Sequence, residues 1–402
     1  MNQYWLDWLN LAIRWAHLVV GIAWIGSSFY FNWLESKFRP PPVPRERIKG
    51  EAWLVHGGGF YRVEKFAVAP ERLPEELHWF KWEAYSTWLT GILLLVLVYY
   101  LQAELYLVDP AVLDLPRWAA VLAGVLLLAG GWLVYDGLCR SPLAGRGWLF
   151  AGLLGLLLAA AAWLATSLFS GRGAFIHVGA MIGTIMVANV AMVIIPNQKR
   201  LVRATERGEP PDAQLGEQAK LRSLHNNYLT LPVLFTMISQ HYPMAYGGAW
   251  NWLILLVLAA IGGGVRHFFN LRNRGRVVPW ILPGAALAML SLALLAAPER
   301  RSPPTGAQAA LPEPSFAMAH AVIEQRCTPC HAASPTFEGF AEPPKNIVLD
   351  TPEAILRQAA LIEQQAVKSE AMPLGNVTLM TPEERLLLAR WIEAGAPGLV
   401  TP

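Results

Sequence analysis

Residues 327–331, CTPCH, place two thiols three positions apart and a histidine directly after the second. On a helical turn, Cys327 and Cys330 share one side and can form thioethers to the two vinyl groups of haem, while His331 can ligate the iron. A zinc ribbon would need a second cysteine pair, but Cys139 is the remaining thiol. A thioredoxin-like motif would need a βαβ frame. The spacing therefore predicts covalently bound haem c.

Two methionines downstream could supply the sixth ligand of the iron. Met372 precedes Pro373, which stiffens a non-helical loop able to cross the open haem face. Met380 comes directly before a helix and is predicted to pack in the core. We therefore expect His331 and Met372 to be the axial ligands, as in cytochromes c with Met/His ligation.

Helix signals surround this motif. Residues 316–326 are predicted to form a helix leading into it, and Thr351 starts another. Thr381, Pro382 and Glu384 form a capping box with proline at the first helical position. Residues 315–402 thus resemble a class I cytochrome c domain. The resemblance implies haem attachment outside the cytoplasm.

The rest of the chain has the composition of a membrane protein. The sequence is 54% hydrophobic and 15% charged, against about 25% charged in soluble domains. Uncharged stretches of roughly 20 residues can cross a bilayer as helices. The pattern predicts an all-α fold, with a bundle of about eight transmembrane helices and a C-terminal class I cytochrome c-like domain. The predicted spans are residues 15–34, 84–103, 118–135, 147–171, 173–198, two within 223–265, and 277–297.

Lys and Arg concentrate in alternate loops, which predicts that those loops are cytoplasmic. The N-terminus and everything after the eighth span are then periplasmic, and the first span is an uncleaved helix in a bacterial inner membrane. We expect three parts: a transmembrane catalytic domain at 1–297, a proline-rich linker at 298–314 and a periplasmic cytochrome c domain at 315–402. Because the positive charge is explained by topology, a nucleic-acid partner is not expected.

Histidines near the outer ends of two spans form one candidate cofactor site. His17 and His177 could together hold a haem b, with Gly21 and Met181 one turn away leaving space for the ring. Polar groups within spans are costly and are functional candidates for that reason. The alternative is that each histidine is hydrogen-bonded to a neighbouring helix.

Polar residues also gather at the predicted cytoplasmic side. His56 and Glu64 lie in the first basic loop, Glu83 opens the second span, and His225 and Asn226 open the sixth. These five could build a catalytic pocket for a planar, anionic substrate. The alternative is that HGGG at 56–59 is a flexible loop and that Glu83 and His225 are interface caps.

Four segments carry a resemblance over the full chain: RWAHLVVGIAWIGSSFYFNWLE, GEAWLVHGGGFYRVEKF, KWEAYSTWLTG and HNNYLTLPVLFTMISQHYP. Followed by a CxxCH domain, they resemble the bacterial membrane-bound urate hydroxylases (urate oxidases) with a cytochrome c tail. The resemblance implies that urate is oxidised to 5-hydroxyisourate. Electrons would pass to the haem and then to a downstream cytochrome or terminal oxidase.

Two other functions fit the same pattern of spans and motif. One is a quinol-linked electron-transfer cytochrome without urate chemistry. The other is a transporter that carries a cytochrome sensor.

Overall fold

The computed structural model describes residues 3–297, 314–337, 340 and 342–398. The predicted linker lies outside the described residues except for Pro314. The chain is mostly helical. Its helices are α1 Gln3–Lys37, α2 Trp82–Leu94, α3 Ala103–Tyr106, α4 Arg117–Arg140, α5 Gly147–Leu168, α6 Gly171–Ala188, α7 Ile195–Glu206, α8 Ala213–Ser239, α9 Pro243–Tyr246, α10 Asn251–Asn273, α11 Ile281–Leu295, α12 Phe316–Arg326, α13 Thr328–His331, α14 Pro352–Arg357, α15 Ala359–Ile362 and α16 Pro382–Glu393. Helices α2, α6 and α15 continue as π-helical turns at Leu95–Tyr100, Asn189–Ile194 and Glu363–Lys368.

A β-hairpin makes the all-α prediction wrong in one place. Strands β1, Ile48–His56, and β2, Gly59–Phe66, pair antiparallel, with His56 opposite Gly59. Gly57 and Gly58 both have positive φ, 56° and 82°. A two-residue hairpin turn of type I′ needs positive φ at both central positions, which glycine adopts at low cost. The HGGG segment is therefore a tight turn, and the prediction of a flexible loop there is wrong.

Six helices in the described part of the chain are long and apolar enough to cross a membrane. They are Tyr4–Lys37, Trp82–Tyr100, Arg117–Arg140, Gly147–Leu168, Gly171–Glu206 and Asn251–Asn273. Six of the eight predicted spans are thus found by length and composition. The other two are helices of a different kind, since α8 carries many polar residues along its length and α11 has only 15 residues.

Helix α6 forms the centre of the bundle, and small residues let its neighbours approach closely. A β-carbon added at Gly131 of α4 would collide with the side chain of Met181, and one at Gly179 would collide with Thr236 of α8. Close packing at small residues is how membrane helices associate, because lipid provides no hydrophobic drive between them. Helix α6 is consequently buried along most of its length, and polar groups on it are shielded from lipid.

The C-terminal domain has a core of its own. Phe316, Ile323, Ile355, Leu388 and Trp391 are each at most 5% exposed and belong to one apolar cluster. The predicted capping box at the start of α16 is confirmed. The hydroxyl of Thr381 accepts from the N–H of Glu384, whose carboxylate accepts from the N–H of Thr381. The same carboxylate receives hydrogen bonds from the Arg326 guanidinium, which ties α16 to the end of α12 next to the CTPCH segment.

Candidate functional site: a thiol–histidine motif, two outer histidines and an inner polar network

The CTPCH segment lies at the junction of two helices. Cys327 caps α12, and α13 carries Cys330 and His331. The Nδ1 atom of His331 lies 2.9 Å from the carbonyl oxygen of Ile347. Because a carbonyl oxygen can only accept, Nδ1 carries the proton and Nε2 presents its lone pair. This is the tautomer that an iron-ligating histidine needs, and the donor set therefore fits a covalently attached haem.

The thiol chemistry differs from that of a redox-active dithiol. Burial, together with the neighbouring Cys330, raises the pKa of the Cys327 thiol to about 12. Burial also raises the pKa of Cys330. Cysteines that exchange disulfides instead have lowered pKa values. Neither thiol of the CTPCH segment has the lowered pKa that is typical of such cysteines.

The two methionines of the domain have different surroundings. Met380 is 3% exposed in the apolar core, the packing position predicted for it. Met372 lies at the edge of this core, in a loop. Both backbone polar groups of Met372 are hydrogen-bonded. Its N–H donates to Gln365, and its carbonyl oxygen accepts from the Arg385 guanidinium at 2.8 Å. Met372 therefore stands in an anchored, non-helical segment, as its predicted role requires.

The loop that carries Met372 is also the part of the C-terminal domain that contacts the membrane body. A β-carbon added at Gly375 would lie 3.1 Å from the carbonyl oxygens of Leu105, in α3, and Val108, just after it. A β-carbon at Gly247, after α9, would collide with the carbonyl oxygen of Ser369. Both contacts are backbone to backbone, so the two parts of the chain touch without intervening side chains.

Replacing Gly247 with alanine is expected to separate the two parts. Gly247 has φ −80°, so alanine is tolerated conformationally and the effect is steric. Overpacking a tight contact costs about 1–3 kcal/mol. Hydrogen exchange of residues 369–376 should accelerate in G247A. In the control G248A, where a β-carbon meets nothing within 4 Å, exchange should stay as in the parent. Unchanged protection in G247A would show that this contact does not hold the domain.

The outer histidine His177 is fully buried and oriented. Its Nδ1 lies 2.8 Å from the carbonyl oxygen of Gly173, which leaves Nε2 with a free lone pair. Neither His177 Nε2 nor the hydroxyl of Tyr100 has a hydrogen-bond partner among the described residues, although both atoms are buried. A β-carbon at Gly124 would lie 2.7 Å from Nε2 and 2.9 Å from that hydroxyl. The absence of a side chain at Gly124 is what makes room for both groups.

His17 and His177 contact different parts of α2 and its π-helical continuation. The Nδ1 atom of His17 lies 2.9 Å from the hydroxyl of Thr90 on α2, whereas the ring of His177 lies 5.6 Å from that of Tyr100. Thr90 and Tyr100 are ten positions apart, about 15 Å along a helix axis. Met181 packs against Gly131. No hydrogen bond or ring contact between described residues joins His17 to His177, and a haem b held by both stays a prediction.

A buried ion pair lies at the other end of the bundle. Arg222 of α8 is 6% exposed, and its guanidinium donates to Asp136 of α4 at 2.6 Å and to Asn189 at 3.0 Å. Asp136 also receives a hydrogen bond from Arg140, which is largely exposed. Charged groups within a membrane bundle are costly unless they are paired, and Arg222 is paired with a carboxylate.

A directional chain of hydrogen bonds continues from this pair. The Asn189 amide donates to Asn226 at 2.8 Å and to the Tyr135 hydroxyl at 3.0 Å. Tyr135 in turn lies 2.8 Å from Nδ1 of His225, whose ring stacks on Phe150 at 4.6 Å. We call Arg222, Asp136, Asn189, Asn226, Tyr135 and His225 the Arg222 network. Such a chain can position a proton at the imidazole of His225, because the Asn189 amide and the Tyr135 hydroxyl can each both donate and accept.

Of the five predicted catalytic residues, His225 and Asn226 belong to the Arg222 network. His56 is exposed at the hairpin turn, and Glu64 pairs with Arg45 at 2.6 Å and with Arg62 at 3.0 Å on the hairpin. Glu83 begins α2, and its Oε2 atom is buried without a partner among the described residues. No hydrogen bond or ion pair in the described part of the chain joins these three residues to the network, and a pocket formed by all five stays a prediction.

A cavity of about 650 Å³ opens between the hairpin and the ends of α1, α8 and α10. Its lining has two more cationic than acidic side chains: Lys49, Lys65, Lys220 and Arg274 against Glu35 and Glu217. Glu35 of α1 is ion-paired with Lys65 and, at 3.0 Å, with Lys220. The cationic excess makes the cavity a suitable entrance for a small anion, since a charged cleft concentrates ligands of opposite sign.

Comparison with known families assigns the membrane body. The family model described as urate oxidase N-terminal matches residues 3–297. The chain belongs to this urate oxidase family. No curated protein and no solved structure matches the chain. Family membership supports an oxidoreductase that acts on urate, and it confirms the predicted resemblance for the helical bundle but not for the C-terminal domain.

The sequence pattern did not predict a site role for four members of the Arg222 network: Tyr135, Asp136, Asn189 and Arg222. All four lie within residues 3–297, which match the family model. Arg222 was counted as a cytoplasmic loop charge, although it lies inside α8. One signal could have found it. Arg222 stands three and four positions before His225 and Asn226, so the three share one face of a helix.

Proposed function

We propose that the protein is a membrane-bound oxidoreductase that converts urate to 5-hydroxyisourate and delivers the electrons to a covalently bound haem c. The observation that carries the proposal is the match of residues 3–297 to the urate oxidase family. The second support is the geometry at His331, whose free Nε2 follows two thiols with the spacing for haem attachment. The downstream acceptor would be another cytochrome or a terminal oxidase.

The reaction balances without oxygen as a direct reactant. Urate loses two electrons and two protons, and a water molecule adds its hydroxyl at C5 to give 5-hydroxyisourate. Haem c would supply one-electron acceptance when bound. Cys327 and Cys330 would attach it, and His331 and Met372 would ligate its iron. A haem b held by His17 and His177 would be a second electron acceptor, and the proposal does not depend on it.

The chain's own residues would bind the substrate and move its protons. The cationic cavity would attract urate, which is an anion at neutral pH. His225 and Asn226 are the predicted catalytic residues that the proposal retains. His225 would accept a proton and share it with Tyr135, and the network would stabilise the resulting charge through Asp136.

For the membrane, we propose eight spans, with α8 and α11 completing the six apolar helices. The N-terminus and the C-terminal domain would then be periplasmic in a bacterial inner membrane. The contacts between the C-terminal domain and the membrane body, at Gly375 and Gly247, support this arrangement. The C-terminal domain touches the segment between α2 and α4 and the one between α8 and α10, which an eight-span path puts on the same side as the N-terminus.

An anaerobic titration with urate, followed at the haem absorption bands, tests the function. Urate should reduce the purified full-length protein and should be recovered as 5-hydroxyisourate. Because each haem accepts one electron, reduction should be complete at about half an equivalent of urate per chain, or about one equivalent if a second haem is present.

Other results would favour the alternatives. Reduction by a quinol with indifference to urate would indicate an electron-transfer cytochrome. Uptake of urate into vesicles without formation of 5-hydroxyisourate would indicate a transporter.

A further inference from the structure

A second buried arginine contacts α8 on a face about 100° from the one that carries Asn226 and the Arg222 network. Arg266 of α10 is 6% exposed, and its Nε donates to the side-chain oxygen of Asn227 at 2.8 Å. Its guanidinium carbon lies 3.8 Å from the centre of the Phe29 ring on α1. Three helices therefore fix this guanidinium, through a hydrogen bond on one side and a cation–π contact on the other.

Arg266 differs from Arg222 in having no acidic counterion. No described carboxylate forms an ion pair with Arg266, whereas Arg222 is paired with Asp136. The amide nitrogens of Asn227 and Asn270 are also buried with no acceptor in the described part of the chain. Asn270 follows Arg266 by four positions and so shares its face of α10. We call Phe29, Asn227, Arg266 and Asn270 the Arg266 cluster.

The cluster presents an excess of hydrogen-bond donors and a positive charge. Buried polar groups without partners are rare, and an unpaired charge in a membrane bundle is costly. The group that would satisfy all of them is a small anion with several acceptor atoms. Urate has this chemistry, since it is anionic and its carbonyl oxygens accept hydrogen bonds.

The cationic cavity lies close to this cluster along three helices. Its lining includes Asn32, Ser223 and Arg274. Each lies one helical turn from a member of the cluster: Phe29 on α1, Asn227 on α8 and Asn270 on α10, respectively. The same three helices thus carry the cavity lining and, one turn away, the unpartnered donors. Lys49, Lys65 and Lys220 would therefore concentrate an anion about one helical turn from the cluster.

We propose that the Arg266 cluster is the substrate-binding site and that it holds urate as an anion. This rests on the function proposed above and assigns its substrate site to α1, α8 and α10. Arg266 and the amides of Asn227 and Asn270 donate to the acceptor atoms of urate. Phe29 keeps the guanidinium in place. His225 and Asn226 lie on neighbouring positions of α8, on the side that faces the Arg222 network.

Equilibrium binding of radiolabelled urate to the full-length haem protein tests the site without turnover. In R266Q the Kd and KM for urate should rise by about 100-fold, the effect of losing charge-assisted hydrogen bonds to an anion. The kcat at saturating urate should fall much less. R272Q is the matched control, because Arg272 is an exposed cation on the same helix. It should bind urate within about twofold of the parent, as expected for a screened surface charge.

A second variant covers the case in which R266Q fails to fold. N227D is isosteric and gives Arg266 an internal carboxylate partner, so the protein should fold while urate binding is lost. Wild-type affinity in folded R266Q or N227D, or an equal loss in R272Q, would overturn the assignment. The two proposals fail separately. If urate binding depends on Arg266 but urate does not reduce the haem, the proposed oxidation is wrong and the proposed binding site stands. If these variants leave haem reduction by urate unchanged, the binding site is wrong and the proposed oxidation stands.

Discussion

Replacing His331 with alanine should abolish electron delivery from urate while leaving urate binding intact. His331 is the one side chain of the CTPCH segment whose ring is oriented by a backbone carbonyl, that of Ile347 at 2.9 Å. Removing a residue that hydrogen-bonds to a metal ligand typically lowers activity by about 10–100-fold. Removing the ligand itself should have a larger effect, so urate turnover should fall by more than about 100-fold. Steady-state 5-hydroxyisourate formation and the haem spectrum measure the effect.

His320 provides a matched control for this change. It lies on α12 of the same domain, and its nearest charged neighbour is Glu324, with Nδ1 3.9 Å from the carboxylate. H320A should keep both the spectrum and the turnover of the parent. If H331A turned over urate at the parental rate, the motif would have no role in electron transfer.

Local signals predicted local structure well. The capping box at Thr381 and Glu384 depends on residues three positions apart, and it is present in full. Six of the eight uncharged stretches correspond to long apolar helices. An unpaired backbone polar group is costly in lipid, so a chain that crosses it has few structures available besides a helix. The hairpin was missed, since Gly57 and Gly58 were interpreted as flexible when the turn uses their positive φ.

The candidate sites depended on tertiary contacts, which the sequence pattern does not show. Asn226 and Asn227 are adjacent, and the sequence predicts a role in the catalytic pocket for Asn226 alone. Consecutive helical residues point about 100° apart, and the structure sends Asn226 to Asn189 and Asn227 to Arg266. Basic residues at helix ends were counted as loop charges for topology. Arg222 and Arg266 instead lie buried within helices, where each orders a polar cluster.

Replacing Arg222 with methionine should strongly destabilise the membrane body. The change leaves the carboxylate of Asp136 and the amide oxygen of Asn189 without their guanidinium donor. Removing one partner of a buried ion pair costs about 3–5 kcal/mol. Arg140 gives a matched control, because it binds the other oxygen of the same carboxylate from an exposed position. R140M should cost less than about 1 kcal/mol, as surface pairs do. Thermal unfolding in detergent compares the two, and equal losses would contradict the distinction.

The double variant R222M/D136N separates structure from chemistry in this network. Removing both charges should restore part of the stability lost in R222M, because no unpaired carboxylate remains buried. The variant changes neither His225 nor Tyr135, whose hydroxyl lies 2.8 Å from the imidazole in the parent protein. If urate oxidation recovers with stability, the Arg222 network is a structural support. If stability recovers and kcat stays low while the Kd for urate is normal, the charged end of the network acts on the proton that His225 accepts.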